Sequence, residues 1–330
     1  MTITKEVNEK SSKIQISKNV TNALPRIMIL VLLGVGLSFL SPYFLKPNNL
    51  INIASMASIP IILALGETVV VLTGNIDLSL GAIFSIGGVV PAALMKFLEV
   101  PVPIAVLAGL LVGGIMGIIN GVLISKIKLP SFIGSYGLKV VATGIAVAIL
   151  QGYVVYGFPD GFRFLGVDRV LNIPVPIYIA TTTFVIMWLL LKRTTLGRKI
   201  YAMGANYEAT RLAGIKVDRV LILTYMIAGI LAALAGIIQV SRVNSSHAFL
   251  GDTMLLPAIA AVVIGGTSMF GGVGGVFGTV IGALIMSVID NGLNLLGAPS
   301  ILQQFIVGVI ILIAVTVDQV VRTMTEKRMR

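Results

Sequence analysis

Two carboxyls stand inside apolar stretches of this chain, Glu67 in LALGETVVVLTG and Asp290 in SVIDNGLNLLG. At membrane depth such a group is expensive unless it is paired or hydrated. It marks either a solute or proton path or, in its protonated form, a hydrogen bond between helices, and both readings are open. Asn291 and Asn294 follow Asp290, and Asn120, Gln303 and Gln304 are further amides among apolar neighbours. They suit contact with a hydroxylated solute as well as they suit interhelical hydrogen bonds. Between Thr73 and Asp77 one helix ends and another begins. Gly74 and Asn75 permit the turn, and Asp77 or Ser79 satisfies the first N–H groups of the next helix. For Asp77 that capping role is favoured over a solute contact.

No nucleophile, base and orienting group occur together, so no catalytic residue is expected. His247 is the single histidine and falls in a polar stretch between apolar segments, where a surface role suits it. There is no cysteine, which excludes disulfides, thiolate catalysis and thiolate-bound metals, and no metal site is expected. The glycines of GGTSMFGGVGG, from Gly265 to Gly275, lack the lysine and Ser/Thr of a phosphate-binding loop. A tight turn with close helix packing is the better account.

The elements that must carry these residues are membrane spans. Hydrophobic residues make up 57% of the chain and charged ones 11%, against about 25% charged in ordinary soluble domains. Apolar runs of spanning length recur along the chain, so the expected fold is an all-α polytopic membrane protein with about ten transmembrane helices. They are read at residues 24–42, 50–72, 78–97, 103–125, 130–151, 176–191, 220–240, 253–269, 275–296 and 300–320, the eighth and ninth with room for re-entrant pieces. So little polar sequence separates them that residues 1–330 read as one transmembrane domain, with a polar tail over 1–23 and no signal peptide. The net charge of +11 is no nucleic-acid footprint, because the basic residues flank the spans. Placing both termini in the cytoplasm puts Lys5, Lys10, Lys13, Lys18, Arg26, Lys126, Lys128, Arg322, Lys327, Arg328 and Arg330 inside. An echo between Gly121-Val-Leu-Ile-Ser with Leu129-Pro130-Ser131 and Gly282-Ala-Leu-Ile-Met with Ala298-Pro299-Ser300 is offset by five spans, as an inverted repeat requires.

One charged island interrupts the apolar pattern at residues 192–219. It carries Lys192, Arg193, Arg198, Lys199, Arg211, Lys216 and Arg219 against two acids, Glu208 and Asp218. Inside it Asn206 can cap a short helix, Glu208 suits the first turn and Gly214 suits the stop. Two turns of helix do not persist alone in water. The island is therefore either a docking helix presented to a soluble protein or a cytoplasmic loop whose helix frays.

Gly74-Asn75-Ile76-Asp77-Leu78-Ser79-Leu80-Gly81 resembles the G-G-I-D-L-S-V-G stretch of ribose-type permease subunits of bacterial ABC sugar importers. Leu196-Gly197-Arg198 through Gly214-Ile215 resembles that family's cytoplasmic loop, and AIAAVVIGGTS from Ala258 and NGLNLLG from Asn291 are similar to it too. The likeness runs from about Leu50 to Asp318. It implies a permease without an ATPase of its own, in the bacterial inner membrane, paired with a second copy or a paralogue. ATP and magnesium would be held by a separate ATPase subunit, and a periplasmic or lipid-anchored binding protein would deliver the sugar. The resemblance implies that Asn206, Glu208, Ala209, Arg211, Leu212 and Gly214, with Arg198 in the same loop, form the helix that enters a cleft on the ATPase. Asn75 replaces the usual second glycine. The segment Asp252–Ala258 lacks the acidic residue that ribose permeases commonly carry before the matching alanine. The expected substrate is a monosaccharide or polyol, ribose first. The rival expectation is a proton-coupled secondary transporter with Glu67 and Asp290 as relays.

Overall fold

The computed structural model describes residues 24–299, 301–303, 305–313, 316 and 319. The 1–23 tail, Ser300, Gln304, Asp318 and the basic residues from Arg322 to Arg330 lie outside the described residues. Seven helices are long and apolar enough to cross a membrane: α2 (Pro47–Val71), α3 (Leu80–Phe97), α4 (Val102–Ser125), α5 (Ser131–Leu150), α7 (Val175–Arg193), α10 (Val217–Val243) and α12 (Val276–Leu295). Three shorter apolar helices are α1 (Leu24–Leu40), α11 (Asp252–Ile264) and α13 (Ile301–Ile313). Seven of the ten expected spans thus have a helix of crossing length, and the other three stretches hold shorter apolar helices over the described residues. The remaining helices, α6 (Asp160–Val167), α8 (Thr195–Ala205) and α9 (Tyr207–Leu212), lie between spans.

At the centre, α10 packs against α4, α3 and α2. Lipid gives helices no hydrophobic reason to associate, so close backbone approach must supply the contact energy. Gly113, Gly117 and Gly121 recur every four residues on α4 and form that seam. A Cβ at Gly117 would collide with the Tyr225 carbonyl, and one at Gly113 with that of Gly229. The opposite face of α4 exposes Ile104, Leu107, Leu111 and Ile115, a stripe suited to acyl chains. The same helix is thereby glycine inward and aliphatic outward.

Helix α11 spans thirteen residues, about 20 Å at the usual rise. It starts deep in the bundle, because the Gly251 N–H donates to Ser85 Oγ in α3 at 2.8 Å. Its Asp252 pairs with Lys139, in the middle of α5, at 3.0 Å. The eighth span is therefore a short helix fed by a descending loop, and the expected 253–269 helix stops at Ile264 before the glycine-rich turn. The α5–α7 connection, expected as a loop, holds α6, one complete strand pair and one strand that pairs beyond α10. Antiparallel β1 (Val155–Tyr156) pairs Val155 with Ser246 of β4 (Ser245–Ser246), and β2 (Arg169–Val170) folds back on β3 (Ile173–Pro174). Phe162 of α6 is fully buried, and the Ser241 hydroxyl at the end of α10 donates to its carbonyl at 2.7 Å.

Candidate functional site

The charged island folds into two helices where sequence reading expected one. Thr194 Oγ1 accepts from Gly197 N at 3.1 Å and starts α8, whose Ile200 and Met203 are buried. Asn206 Oδ1 then accepts from Ala209 N at 2.9 Å, Glu208 occupies the first turn of α9, and Gly214 turns the chain with φ +81°. The expected cap, first-turn acid and stop are all in place. Helix α10 begins at Val217, inside the island.

A six-residue helix needs support, and three neighbours give it. Lys128 Nζ, in the α4–α5 turn, donates to Tyr207 Oη at 3.3 Å and pairs with Asp218 at 3.2 Å. The Tyr207 hydroxyl, the Asp218 carboxylate and their charges hold the Lys128 ammonium above its usual range. On the other side the Tyr201 hydroxyl of α8 donates to the Gly274 carbonyl at 2.9 Å. Burial pushes the Tyr201 phenol up, so it remains a donor across neutral pH. Gly272 N donates to Leu72 O at 3.0 Å, and a Cβ at Gly204 would collide with that same Leu72 oxygen. The island is thus fastened to the end of α2, to the glycine-rich turn and to the α4–α5 turn. The sequence candidates Arg198, Asn206, Glu208, Ala209, Arg211, Leu212 and Gly214 are all exposed, as are the basic residues Lys192, Arg193, Lys199, Lys216 and Arg219. Leu212 is 82% exposed, and Glu208 and Arg211 pair with each other at 2.8 Å. The result is a capped stub with an apolar tip and a polar flank on a braced base.

Within the bundle a second group of the sequence candidates comes together. Glu67 Oε1 accepts from Asp77 N at 3.2 Å. Asp77 Oδ1 accepts from Ser79 N at 2.8 Å, from Ser79 Oγ, and from Asn120 Nδ2 at 3.0 Å. Ser135 Oγ of α5 accepts from Leu78 N at 3.1 Å. Glu67, Asp77 and Asn120 are fully buried, so this is a knot joining α2, α3, α4 and α5. Tyr225 of α10, which sequence reading passed over, is buried beside both carboxyls. Its only sequence signal was a hydroxyl amid apolar residues. Asn75 donates to Thr73 Oγ1 at 3.0 Å and serves the turn.

The remaining candidates sit elsewhere. Asn291 exchanges amide hydrogen bonds with Asn49 at 3.0 Å, tying α12 to α2. Gln303 donates to Asn294 at 2.9 Å, while Asp290 is half-buried on α12. Two open cavities of about 190 Å³ each lie along α2, one beside α6 and the end of α10, the other beside α7 and α12. Asn52, Ser55, Arg169 and Arg242 line one; Ser58, Thr181 and Phe184 line the other. None of these was picked out as a candidate from the sequence, because short hydroxyls and an amide at helix ends are unremarkable there. Among the described residues no cluster of three or more His, Cys, Asp or Glu could hold a metal ion.

Residues 49–315 match the family described as Branched-chain amino acid transport system / permease component. The ribose import permease protein RbsC of Escherichia coli is 42% identical over 296 residues, covering 88% of this chain and 92% of that protein. RbsC of Haemophilus influenzae is 37% identical, covering 96% of this chain and 99% of that one. The D-allose transport system permease protein AlsC of Escherichia coli is 37% identical over 294 residues, covering 89% and 90%. No solved structure matches.

Proposed function

This chain belongs to the family of transport-system permease components and, within it, to the ribose-type ABC permeases; we propose that it moves a monosaccharide or polyol, ribose first, into the cytoplasm. The similarity to an allose permease keeps the reading at the level of a small neutral sugar. The chain is a single permease domain over 1–330 in a bacterial inner membrane, carried across by ten apolar segments, the eighth of them a short helix entered by a loop. Both termini and the 192–219 island face the cytoplasm, in accord with the basic residues around the island. A second permease copy or paralogue completes the pathway, and a sugar-binding protein delivers solute from outside. ATP and magnesium stay on a separate ATPase subunit, so this chain itself binds no cofactor and catalyses nothing.

The braced stub α9 is the observation that carries the reading. A partner that closes on ATP pulls on Glu208, Arg211 and Leu212. The pull reaches α2 and the glycine-rich turn through Gly204 and Tyr201 without loss in a flexible link. Reconstitution into proteoliposomes with the ATPase and the binding protein tests it. Ribose uptake is expected to require ATP, and Glu208→Arg is expected to leave ATP hydrolysis running while uptake stops. Uptake driven by a proton gradient without ATP would overturn the reading.

A further inference from the structure

Both cavities lie against α2, the first between it and the α6–α7 connection, the second between it, α7 and α12. The first takes Asn52 and Ser55 from α2, Pro174 at the entry to α7, Arg169 from β2 and Arg242 from the last turn of α10. The second takes Ser58 and Ile61, two turns further along α2, with Ala180, Thr181 and Phe184 further along α7, and Val280 and Leu284 from α12. Residues 52, 55 and 58 recur at intervals of three, so one face of α2 lines both. The first is a polar mouth and the second an apolar slot, on adjoining stretches of α2.

The mouth has donors to spare. Among the described residues neither Arg169 nor Arg242 has a carboxylate within ion-pair distance. Arg242 Nη1 donates to Ser55 O at 3.2 Å, which uses one of five N–H groups. Arg242 also faces the carboxyl end of α10, which steadies its charge but leaves the other donors open. Asn52 is exposed and its side chain makes no hydrogen bond among the described residues. The slot below carries no charged side chain, only Ser58, which already donates to Ala54 O at 2.9 Å, and exposed Thr181. An anion attracted by the arginines would lose its partners on entering that slot, at a large desolvation cost. A neutral polyhydroxylated ring would not, because it offers hydroxyls to the mouth and C–H faces to Phe184. Each cavity is also below the usual size of drug-like pockets, which suits a monosaccharide.

We propose that this face of α2, with the two cavities against it, is the solute-facing wall of the permeation path, with Asn52, Thr181 and Arg242 meeting sugar hydroxyls. This rests on the permease reading above. It separates the residues that touch solute from the buried knot of Glu67, Asp77 and Asn120, none of which lines either cavity.

The chain has no cysteine, so single introduced thiols report cleanly. Asn52→Cys and Thr181→Cys are made in the full transporter with ATPase and binding protein, and Leu107→Cys on the aliphatic face of α4 is the control. A membrane-impermeant anionic methanethiosulfonate is expected to label the first two and cut uptake at least tenfold, with no block at Leu107. Arg242→Ala is expected to raise the sugar concentration for half-maximal uptake, while unlabelled Leu107→Cys keeps the parent's ATP hydrolysis stimulated by the binding protein. Labelling without a block, or no labelling because a second copy covers this face of α2, overturns the proposal. So does weakened docking of the binding protein on Arg242→Ala with the half-maximal sugar concentration unmoved, which would make the mouth a docking surface. A parent transporter with no ATP-dependent uptake would instead defeat the permease reading itself, before any variant is compared.

Discussion

The Tyr201 hydroxyl donates to the Gly274 carbonyl oxygen across 2.9 Å, joining the first helix of the charged island to the glycine-rich turn between α11 and α12. Gly271 and Gly272 of that turn also approach Gly74 and Gly204 so closely that a methyl on either would strike backbone. One side-chain hydrogen bond and a bare backbone contact therefore connect the exposed stub to the ends of three membrane helices.

Tyr201→Phe removes the hydrogen bond and keeps the ring. The expected loss of stability is about 1 kcal/mol, the net worth of one hydrogen bond. ATP hydrolysed per sugar moved should rise, because the island then shifts without carrying the turn. Paired hydrolysis and uptake assays on the reconstituted complex check this.

Asn206→Ala removes the cap of α9. Caps of this kind contribute about 1 kcal/mol, so the amide of Ala209 should exchange about fivefold faster. Hydrogen exchange read by mass spectrometry over the Tyr207–Leu212 peptide measures it, and binding of the ATPase should weaken in step.

Asp77→Ala strands the Ser79 N–H and one of the two Asn120 amide hydrogens, the other still donating to Ser79 Oγ, in a fully buried site. Each unsatisfied donor costs about 1–3 kcal/mol, so the permease should melt early or fail to accumulate. Glu67→Gln keeps an oxygen for the Asp77 N–H and should retain ATP-driven uptake to within about twofold. Abolished uptake in a well-folded Glu67→Gln protein would instead favour a proton relay.

Gly117→Val drives methyl groups into the Tyr225 backbone and should prevent α4 from seating on α10. Gly144→Ala in α5 meets nothing within 4 Å and should be neutral or stabilising by up to about 1 kcal/mol. A thermal melt of the two detergent-solubilised variants, followed by size-exclusion fluorescence, compares them directly.

The apolar runs announced every long helix, since a bilayer demands unbroken stretches whose backbone groups satisfy one another. The cap at Asn206 and the stop at Gly214 were legible for a similar reason, being local rules of chain geometry. What stayed hidden was helix α8, whose alternation of basic and apolar residues reads as loop until Ile200 and Met203 find a core to enter. Glu67 and Asp77 were visible as costly groups, yet only their neighbours could say whether they face solute or each other.

The sequence by itself determined that this is a membrane-embedded helical protein with one cytosolic-type island, because composition and charge act residue by residue. Tertiary structure alone decided which polar groups are consumed in the knot of α2, α3, α4 and α5, and which, like Asn52 and Arg242, keep free donors beside open space. The reason is that hydrogen-bond satisfaction belongs to pairs of atoms distant along the chain, and no local pattern encodes which pair will meet.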